Sequence, residues 1–161
     1  MDTKLSHSVE NYEKELSLYK CIVSVSEGHM SFSGPDYIYQ VVNDAYLNAH
    51  NKKREEIINH SIAELLGEDV FRNIIKKNID RCFNGETIKY EDWFDFSGIG
   101  RRLMDVTYYP HISEKTAKVI GVVVVSRDIT KNKQHIEHLK IAAIELRESQ
   151  KSLRKAQKMP A

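Results

Sequence analysis

The chain has few of the residues that cross-link a fold or interrupt its helices and strands: two cysteines, three prolines and seven glycines in 161 residues. Cys21 and Cys82 are far apart and belong to no CxxC pair, which argues against a disulfide framework and favours reduced thiols in a cytosolic compartment. The formal net charge is only +1, so no overall field would recruit nucleic acid or an anionic membrane.

Long hydrophobic runs are also missing. The longest apolar run, Val119 to Val125, is interrupted by Gly121 and is far shorter than the roughly 20 residues of a membrane-spanning helix. The first residues, Met-Asp-Thr-Lys, contain no apolar signal region. We therefore expect a cytoplasmic location, no nucleic-acid partner and no membrane contact by this chain, while a longer parent protein could still be anchored in a membrane elsewhere.

Motifs of enzymes are absent as well. The sequence contains no P-loop, GxGxxG, GxSxG or HExxH. Gly98-Ile-Gly100 falls between two predicted strands and is typical of a hairpin turn. His135 and His138 lie three residues apart without a supporting carboxylate or thiol cluster, so we predict a solvent-facing helix there. We expect no catalytic residues and no metal site in this chain.

The regions that remain show clear periodicity. Residues 5–23 have a helical apolar stripe, and the predicted N-terminal seam consists of Val9, Tyr12, Leu16 and Tyr19. Two short strands follow, within residues 30–42, and then three short helical segments up to Gly67. A longer helix is predicted from Glu68 to Gly85, and three strands cover residues 87–96, 101–110 and 119–127. The run Val122–Val125 indicates a central strand.

A second seam follows the last strand. Apolar residues recur at heptad spacing over about four heptads, and the predicted C-terminal seam consists of Ile136, Leu139, Ala143, Leu146 and Leu153. Polar residues at Asn132 and Gln150 interrupt it, as residues that fix register do in coiled coils. Two seams on either side of a core predict a homodimer.

Several short sequence motifs, in their order along the chain, resemble those of the PAS domain. They are Val42–Tyr46 (VNDAY), Arg54–Ile57 (REEI), Trp93–Gly98 (WFDFSG), Met104–Pro110 (MDVTYYP) and the strand exit Asp128-Ile129-Thr130. The resemblance implies an α+β fold with a five-stranded antiparallel sheet in the order 2-1-5-4-3 and short helices on one face. It divides the chain into an N-terminal helix (1–28), a PAS sensory domain (29–128) and a coiled-coil linker (129–161).

The end of the chain resembles a second family feature. Ser152–Met159 (SLRKAQKM) is similar to the segment that precedes the phospho-accepting helix of bacterial sensor histidine kinases. This resemblance implies a two-component signalling parent with a kinase domain downstream in cis. Two alternatives stay open: a ligand-free dimerisation module, and a sensor whose output domain is a cyclic-dinucleotide synthase.

PAS relatives that bind a cofactor carry recognisable residues for it. Haem-binding members carry an axial histidine on the long helix, and residues 68–85 contain none. Flavin-adduct photoreceptors carry a cysteine in an "NCRFLQ"-like word, and the helix from Ser61 does not match it. We therefore expect neither haem nor a covalent flavin, while a non-covalent flavin or a small metabolite stays open.

The resemblance also suggests where a small-molecule ligand would bind. Candidate pocket residues are Tyr46, Ile75, Ile79, Tyr90, Trp93, Met104, Val106 and Tyr108, with Arg101 and Arg102 available to counter an acidic ligand. Trp93 and Phe94 point to opposite faces of a strand, so at most one of them faces the pocket. The alternative is that these aromatic side chains only pack the sheet against the helices.

Signal transmission is expected at Asp128, Ile129 and Thr130. In PAS relatives this Asp ties the last strand to the exit helix through an ion pair or a cap. From its chemistry alone, Asp128 could cap a helix that begins at Ile129, a contribution of about 1 kcal/mol.

Overall fold

The computed structural model describes the backbone of residues 2–159 and the side chains of residues 9–159. Met1, Pro160 and Ala161, which the predicted segments 1–28 and 129–161 include, lie outside the described residues. By its contacts the chain divides into two units, one that ends at Asp128 and one that begins at Ile129.

The first unit begins with helix α1 (Asp2–Ser24) and contains a set of short helices between the second and third strands. These are α2 (Asp44–His50), a 3₁₀ turn (Arg54–Glu56), α3 (Ile62–Leu66), α4 (Glu68–Val70), a π-helical segment (Phe71–Ile75) and α5 (Lys76–Phe83). The predicted long helix is therefore interrupted by a π-helical stretch, a feature that is frequent near functional sites.

Five strands form one antiparallel sheet in the order β2-β1-β5-β4-β3, which confirms the predicted fold. They are β1 (His29–Ser33), β2 (Tyr39–Val42), β3 (Ile88–Phe96), β4 (Gly100–Ile112) and β5 (Val119–Asp128). β5 lies between β1 and β4, as the valine run predicted. The chain's last strand therefore runs through the middle of the sheet.

Side-chain alternation gives the sheet two different faces. On β4, Met104, Val106 and Tyr108 are buried and join Ile75 and Ile79 of the helices in the core. On the opposite face, Trp93 and Tyr109 are about half exposed, at 47% and 46%. The core therefore lies between the sheet and one layer of helices.

The second unit is helix α6 (Thr130–Gln157). The helix begins one residue after its predicted start at Ile129, and Ile129 is the N-cap residue and contributes no capping side-chain hydrogen bond. β5 continues through Asp128, so the side chain of Asp128 alternates with those of the strand. Among the described residues of α6 none is buried, and Ile136, Leu139, Leu146 and Leu153 of the predicted seam are all at least half exposed.

Candidate internal ligand site

A cavity of about 60 Å³ lies in the core, between the sheet and the helices. Its apolar lining residues are Ile62, Leu66, Ile75, Ile79, Phe94, Phe96, Met104, Val106 and Val124. Its polar lining residues are Ser31, Ser33, Tyr39, Tyr46, His50, Tyr108 and Ser126. The cavity is thus an apolar space with several hydroxyl groups and one imidazole, the usual make-up of a small-molecule site.

Six of the predicted pocket residues line this cavity: Tyr46, Ile75, Ile79, Met104, Val106 and Tyr108. Tyr90 does not line it, but its hydroxyl group lies 3.1 Å from that of Tyr108. It therefore contacts a residue of the cavity wall and lies on the same face of the sheet.

The other three predicted pocket residues lie elsewhere, and their assignment to the cavity is corrected. Trp93 points to the opposite face of the sheet, where the guanidinium of Arg101 lies 5.4 Å from its ring centroid. Arg102 is on the cavity side of β4, yet its guanidinium pairs with Asp128 instead of lining the cavity. These residues were predicted because they are aromatic side chains or arginines on the strands next to the core. Only the strand register determines on which face of the sheet each one lies.

Tyrosine hydroxyl groups meet in pairs around the cavity. The hydroxyl oxygens of Tyr39 and Tyr46 are 2.6 Å apart, and the rings of Tyr90 and Tyr108 are stacked at 5.9 Å. Burial raises the pKa of Tyr39, Tyr46 and Tyr108 well above the ordinary value. These phenols therefore stay neutral, and each can act as both donor and acceptor.

His50 is the most unusual polar group in the cavity wall. It is 5% exposed, and its ring packs 4.7 Å from that of Tyr46 and 5.1 Å from that of Phe96. Burial, with smaller contributions from the charges of His29 and Lys52, lowers the pKa of His50 to about 4. The imidazole is therefore neutral at pH 7, and its Nε2 has no hydrogen-bond partner among the described residues.

Three further buried polar atoms share this property. Ser33 Oγ, His29 Nδ1 and Asp105 Oδ1 have no hydrogen-bond partner within the described part of the chain, and Asp105 lies on the face of the sheet away from the cavity. Ser33 lines the cavity, whereas His29 packs edge-on against Tyr46 and Phe96. Buried polar groups are nearly always satisfied in folded proteins, so unpaired atoms at a cavity mark a place where a ligand or water would be bound.

The sequence analysis missed Ser31, Ser33, His50 and Ser126 as cavity residues. Residues 29, 31 and 33 are buried and alternate with half-buried Met30 and Phe32. In the sequence the apolar residues of this alternation are Met30 and Phe32, so the period of two favoured the other face of β1. No local pattern indicated His50 either, because its place depends on how α2 packs against β3.

The ion pair between Asp128 and Arg102 lies at the end of the cavity nearest to the strand exit. Asp128 Oδ2 is 3.1 Å from Arg102 Nε. Asp128 lies two residues after Ser126, and Arg102 two residues before Met104, so all four lie on the cavity side of the sheet. The carboxylate of Asp128 also acts on buried His29, whose pKa it raises against the larger lowering effect of burial.

Across residues 9–159, no group of three or more His, Cys, Asp or Glu side chains is placed to hold a metal ion. Within the described chain, no helix combines the length and the apolar character that crossing a membrane requires. Cys82 is fully buried, and burial raises the pKa of its thiol to about 11, which makes it unreactive.

Comparison with solved structures shows the same fold in several proteins of low sequence identity. The PAS domain of an HTR-like protein from Haloarcula marismortui has 18% identity and a TM-score of 0.58, over 77% of this chain and 99% of that one. The PAS domain of BvgS from Bordetella pertussis has 16% identity and a TM-score of 0.61, over 84% and 98%. The VqmA–ligand–DNA complex from Vibrio cholera has 17% identity and a TM-score of 0.62, over 73% of this chain and only 51% of VqmA.

Comparison with curated proteins found no match. A family profile described as "PAS fold" matches residues 26–134, which is more than half of the chain and includes every residue that lines the cavity. The chain therefore belongs to the PAS family and has the fold of a signal-sensing domain.

Proposed function

We propose that this chain is a sensory module that binds a small molecule in its internal cavity and passes the signal to a downstream domain through α6. The observation that carries the proposal is the pair of unsatisfied polar atoms, Ser33 Oγ and His50 Nε2, in the wall of a core cavity. A core that served packing alone would be more stable with apolar side chains at these positions. VqmA, a structural neighbour, is described as bound to DPO, which supports a ligand-binding use of this fold.

The position of the cavity gives the signal a route. Val124 and Ser126 of β5 line it, and the same strand continues to Asp128 before α6 begins at Thr130. A ligand that binds one packing of the sheet better than another would shift the population of that packing. Asp128, Ile129 and Thr130 are the residues through which the shift would reach the exit helix.

Native mass spectrometry of the purified chain tests ligand binding. We expect a bound small molecule that is lost on denaturation. Ser126→Leu should abolish the adduct by filling the cavity. Ser113→Leu, in the turn between β4 and β5 and away from the cavity, is the matched control and should retain it. No adduct in any preparation, with equal stability of both variants, would favour the ligand-free dimerisation module.

We also propose that the chain is a homodimer that uses both seams. In the single chain, Val9, Tyr12, Leu16 and Tyr19 of α1 are all more than half exposed. The C-terminal seam is similarly uncovered, as are Ile141 and Ile144, which lie outside it. Apolar stripes of this length are normally buried against a partner. Sedimentation at tens of micromolar should show a dimer, Leu139→Lys with Leu146→Lys should weaken it, and Lys140→Leu should not.

The output domain is proposed to be a histidine kinase in cis, on the resemblance of Ser152–Met159 to the lead-in of its phospho-accepting helix. The alternative output is a cyclic-dinucleotide synthase. Sequencing the codons downstream distinguishes the two. The chain itself should remain unlabelled when incubated with labelled ATP, and labelling at His135 or His138 would contradict the proposed role of α6.

The module is further proposed to work without haem or flavin. The cavity volume of about 60 Å³ is far below the roughly 300–1,000 Å³ of sites for drug-sized ligands, and a flavin ring would require extensive opening of the core. The purified protein should therefore be colourless. A visible absorbance peak at near-stoichiometric yield would overturn this point.

A further inference from the structure

We infer that the cavity selects an uncharged ligand of only a few non-hydrogen atoms that both donates and accepts hydrogen bonds. This inference rests on the proposed sensory function, and it defines the chemical class of the ligand. Three independent properties of the cavity lead to it: the charge of its wall, the unsatisfied polar atoms and the size.

Charge is the first property. Within the part of the chain that the structure describes, the cavity wall contains no Asp, Glu, Lys or Arg. Two charges on the same face of the sheet, Arg102 and Asp128, pair with each other at 3.1 Å. An ion in the cavity would lose its hydration without gaining a counter-charge, which strongly disfavours its binding. The predicted role of Arg102 as a partner for an acidic ligand is therefore replaced by selection against acids.

Hydrogen bonding is the second property. The hydroxyl of Ser33 can donate and accept, and Nε2 of neutral His50 does one or the other according to its tautomer. Neither atom has a partner among the described residues. An apolar ligand would leave both unsatisfied, at the full desolvation cost. A primary amide or a hydroxyl group would satisfy either atom in either tautomer.

Size is the third property. A water molecule needs roughly 10–15 Å³ of space by this measure, so a cavity of about 60 Å³ has room for only a few such groups. Its wall includes the large side chains of Phe94, Phe96 and Tyr108. A ligand the size of acetamide fits the existing space, whereas a larger one would have to displace these aromatic rings.

The test uses acetamide, acetate and acetamidinium, which have the same shape and size and carry no charge, a negative charge and a positive charge. Each is titrated into the ¹⁵N-labelled full chain at pH 7.5 and constant ionic strength, and shifts of the amide signals of residues 31, 33 and 50 are followed. Acetamide should bind at least about tenfold more tightly than either ion, because only the ions are buried without a counter-charge. Acetone, which cannot donate, should bind more weakly than acetamide.

Ser33→Ala and the matched Ser113→Ala establish where the probe binds. Ser33→Ala should weaken acetamide binding without lowering the melting temperature, since the hydroxyl of Ser33 makes no hydrogen bond among the described residues. Ser113→Ala should bind as the wild type does. Acetate or acetamidinium binding at these residues as tightly as acetamide would overturn the inference but leave the sensory function standing. No binding of any probe would also overturn the inference, whereas the sensory function is overturned only by the absence of a bound molecule in native mass spectrometry.

Discussion

The side-chain amide nitrogen of Asn43 donates a hydrogen bond of 2.8 Å to the backbone carbonyl of Gly28. The same amide nitrogen lies 3.2 Å from the carbonyl of Val23, at the end of α1. The Oδ1 atom of Asn43 accepts from the backbone N–H groups of Met30 and Tyr46, at 3.0 and 3.1 Å. One buried side chain thus joins the end of α1 and the segment after it to β1 and α2.

Substitutions of Asn43 should break some or all of these hydrogen bonds. Asn43→Asp keeps the acceptor that caps α2 but places a carboxylate against backbone carbonyls, and Asn43→Leu removes every bond. We expect both to lower the free energy of unfolding by about 3 kcal/mol, because each leaves buried backbone groups unsatisfied. Urea unfolding measures the loss, with Asn48→Leu on the exposed side of α2 as the control. A loss for Asn43→Leu no larger than the control's would contradict this role.

The sequence predicted most of the fold because its elements have strong local signals. Short helical segments were predicted after the second strand, where α2 lies, and the valine run identified the central strand. The cavity was harder to predict, because its polar wall depends on the side of the strand to which a serine points. Ser31 and Ser33 are ordinary strand residues in the sequence, and only the pairing of β1 with β5 places them on the helix side.

The partner of Asp128 was hard to predict for a similar reason. An Asp immediately before a helix is a common cap, and the sequence offered no reason to extend the strand past Arg127. In the structure Asp128 pairs with Met104 in the β4–β5 ladder. Its side chain is therefore held on the sheet, near Arg102, a residue 26 positions earlier that no local pattern connects to it.

Acid should destabilise the fold through His50. Its folded-state pKa is about 4, below the ordinary value of about 6.5, so the unfolded chain binds the proton first as the pH falls. The contribution of neutral His50 to the free energy of unfolding is fully present above about pH 6.5. It decreases toward pH 4, by up to about 1.4 kcal/mol per pH unit. His29, whose pKa is also lowered by burial, acts in the same direction.

His50→Phe tests this assignment, since it keeps a ring against Tyr46 and Phe96 and removes the titrating group. Unfolding free energies measured between pH 7.5 and pH 4.5 should fall less steeply for His50→Phe than for the wild type. The matched variant His138→Gln, at an exposed position of α6, should leave the slope unchanged. Parallel pH profiles for the wild type and His50→Phe would assign the acid sensitivity to other groups.

The turn between β3 and β4 packs closely on the end of α2. The N–H of Gly98 donates to the carbonyl of Ala49 at 2.8 Å, and a Cβ atom at Gly98 would collide with the carbonyl oxygens of Asn48 and Ala49. Gly98→Ala should therefore displace α2, which carries Tyr46 and His50 into the cavity wall, and cost about 2 kcal/mol of stability. Thermal unfolding measures it. Gly28→Ala meets no contact closer than 3.4 Å and is the control, and equal melting temperatures for the two variants would contradict the close packing.

The ion pair between Asp128 and Arg102 should matter more for signalling than for stability. Both side chains are more than a third exposed, and ion pairs of this kind contribute about 0–1 kcal/mol. Asp128→Ala and Arg102→Ala should thus melt close to the wild type. A coupling free energy between two sites is typically about 1–3 kcal/mol, so the loss of a contact between the cavity face and the strand exit could remove much of the response.

The measurement is signal-dependent autophosphorylation of the proposed kinase parent, compared for each single variant and for the exchanged pair Asp128→Arg with Arg102→Asp. We expect the single variants to lose the response and the exchanged pair to regain part of it, because it restores the attraction with the charges reversed. Asp105→Ala is the matched control: Asp105 pairs with Lys89 at 3.2 Å across β3 and β4, on the face of the sheet away from the cavity, and should respond normally. A normal response in Asp128→Ala, or an equal loss in Asp105→Ala, would show that the Asp128–Arg102 pair does not carry the signal from the cavity to α6.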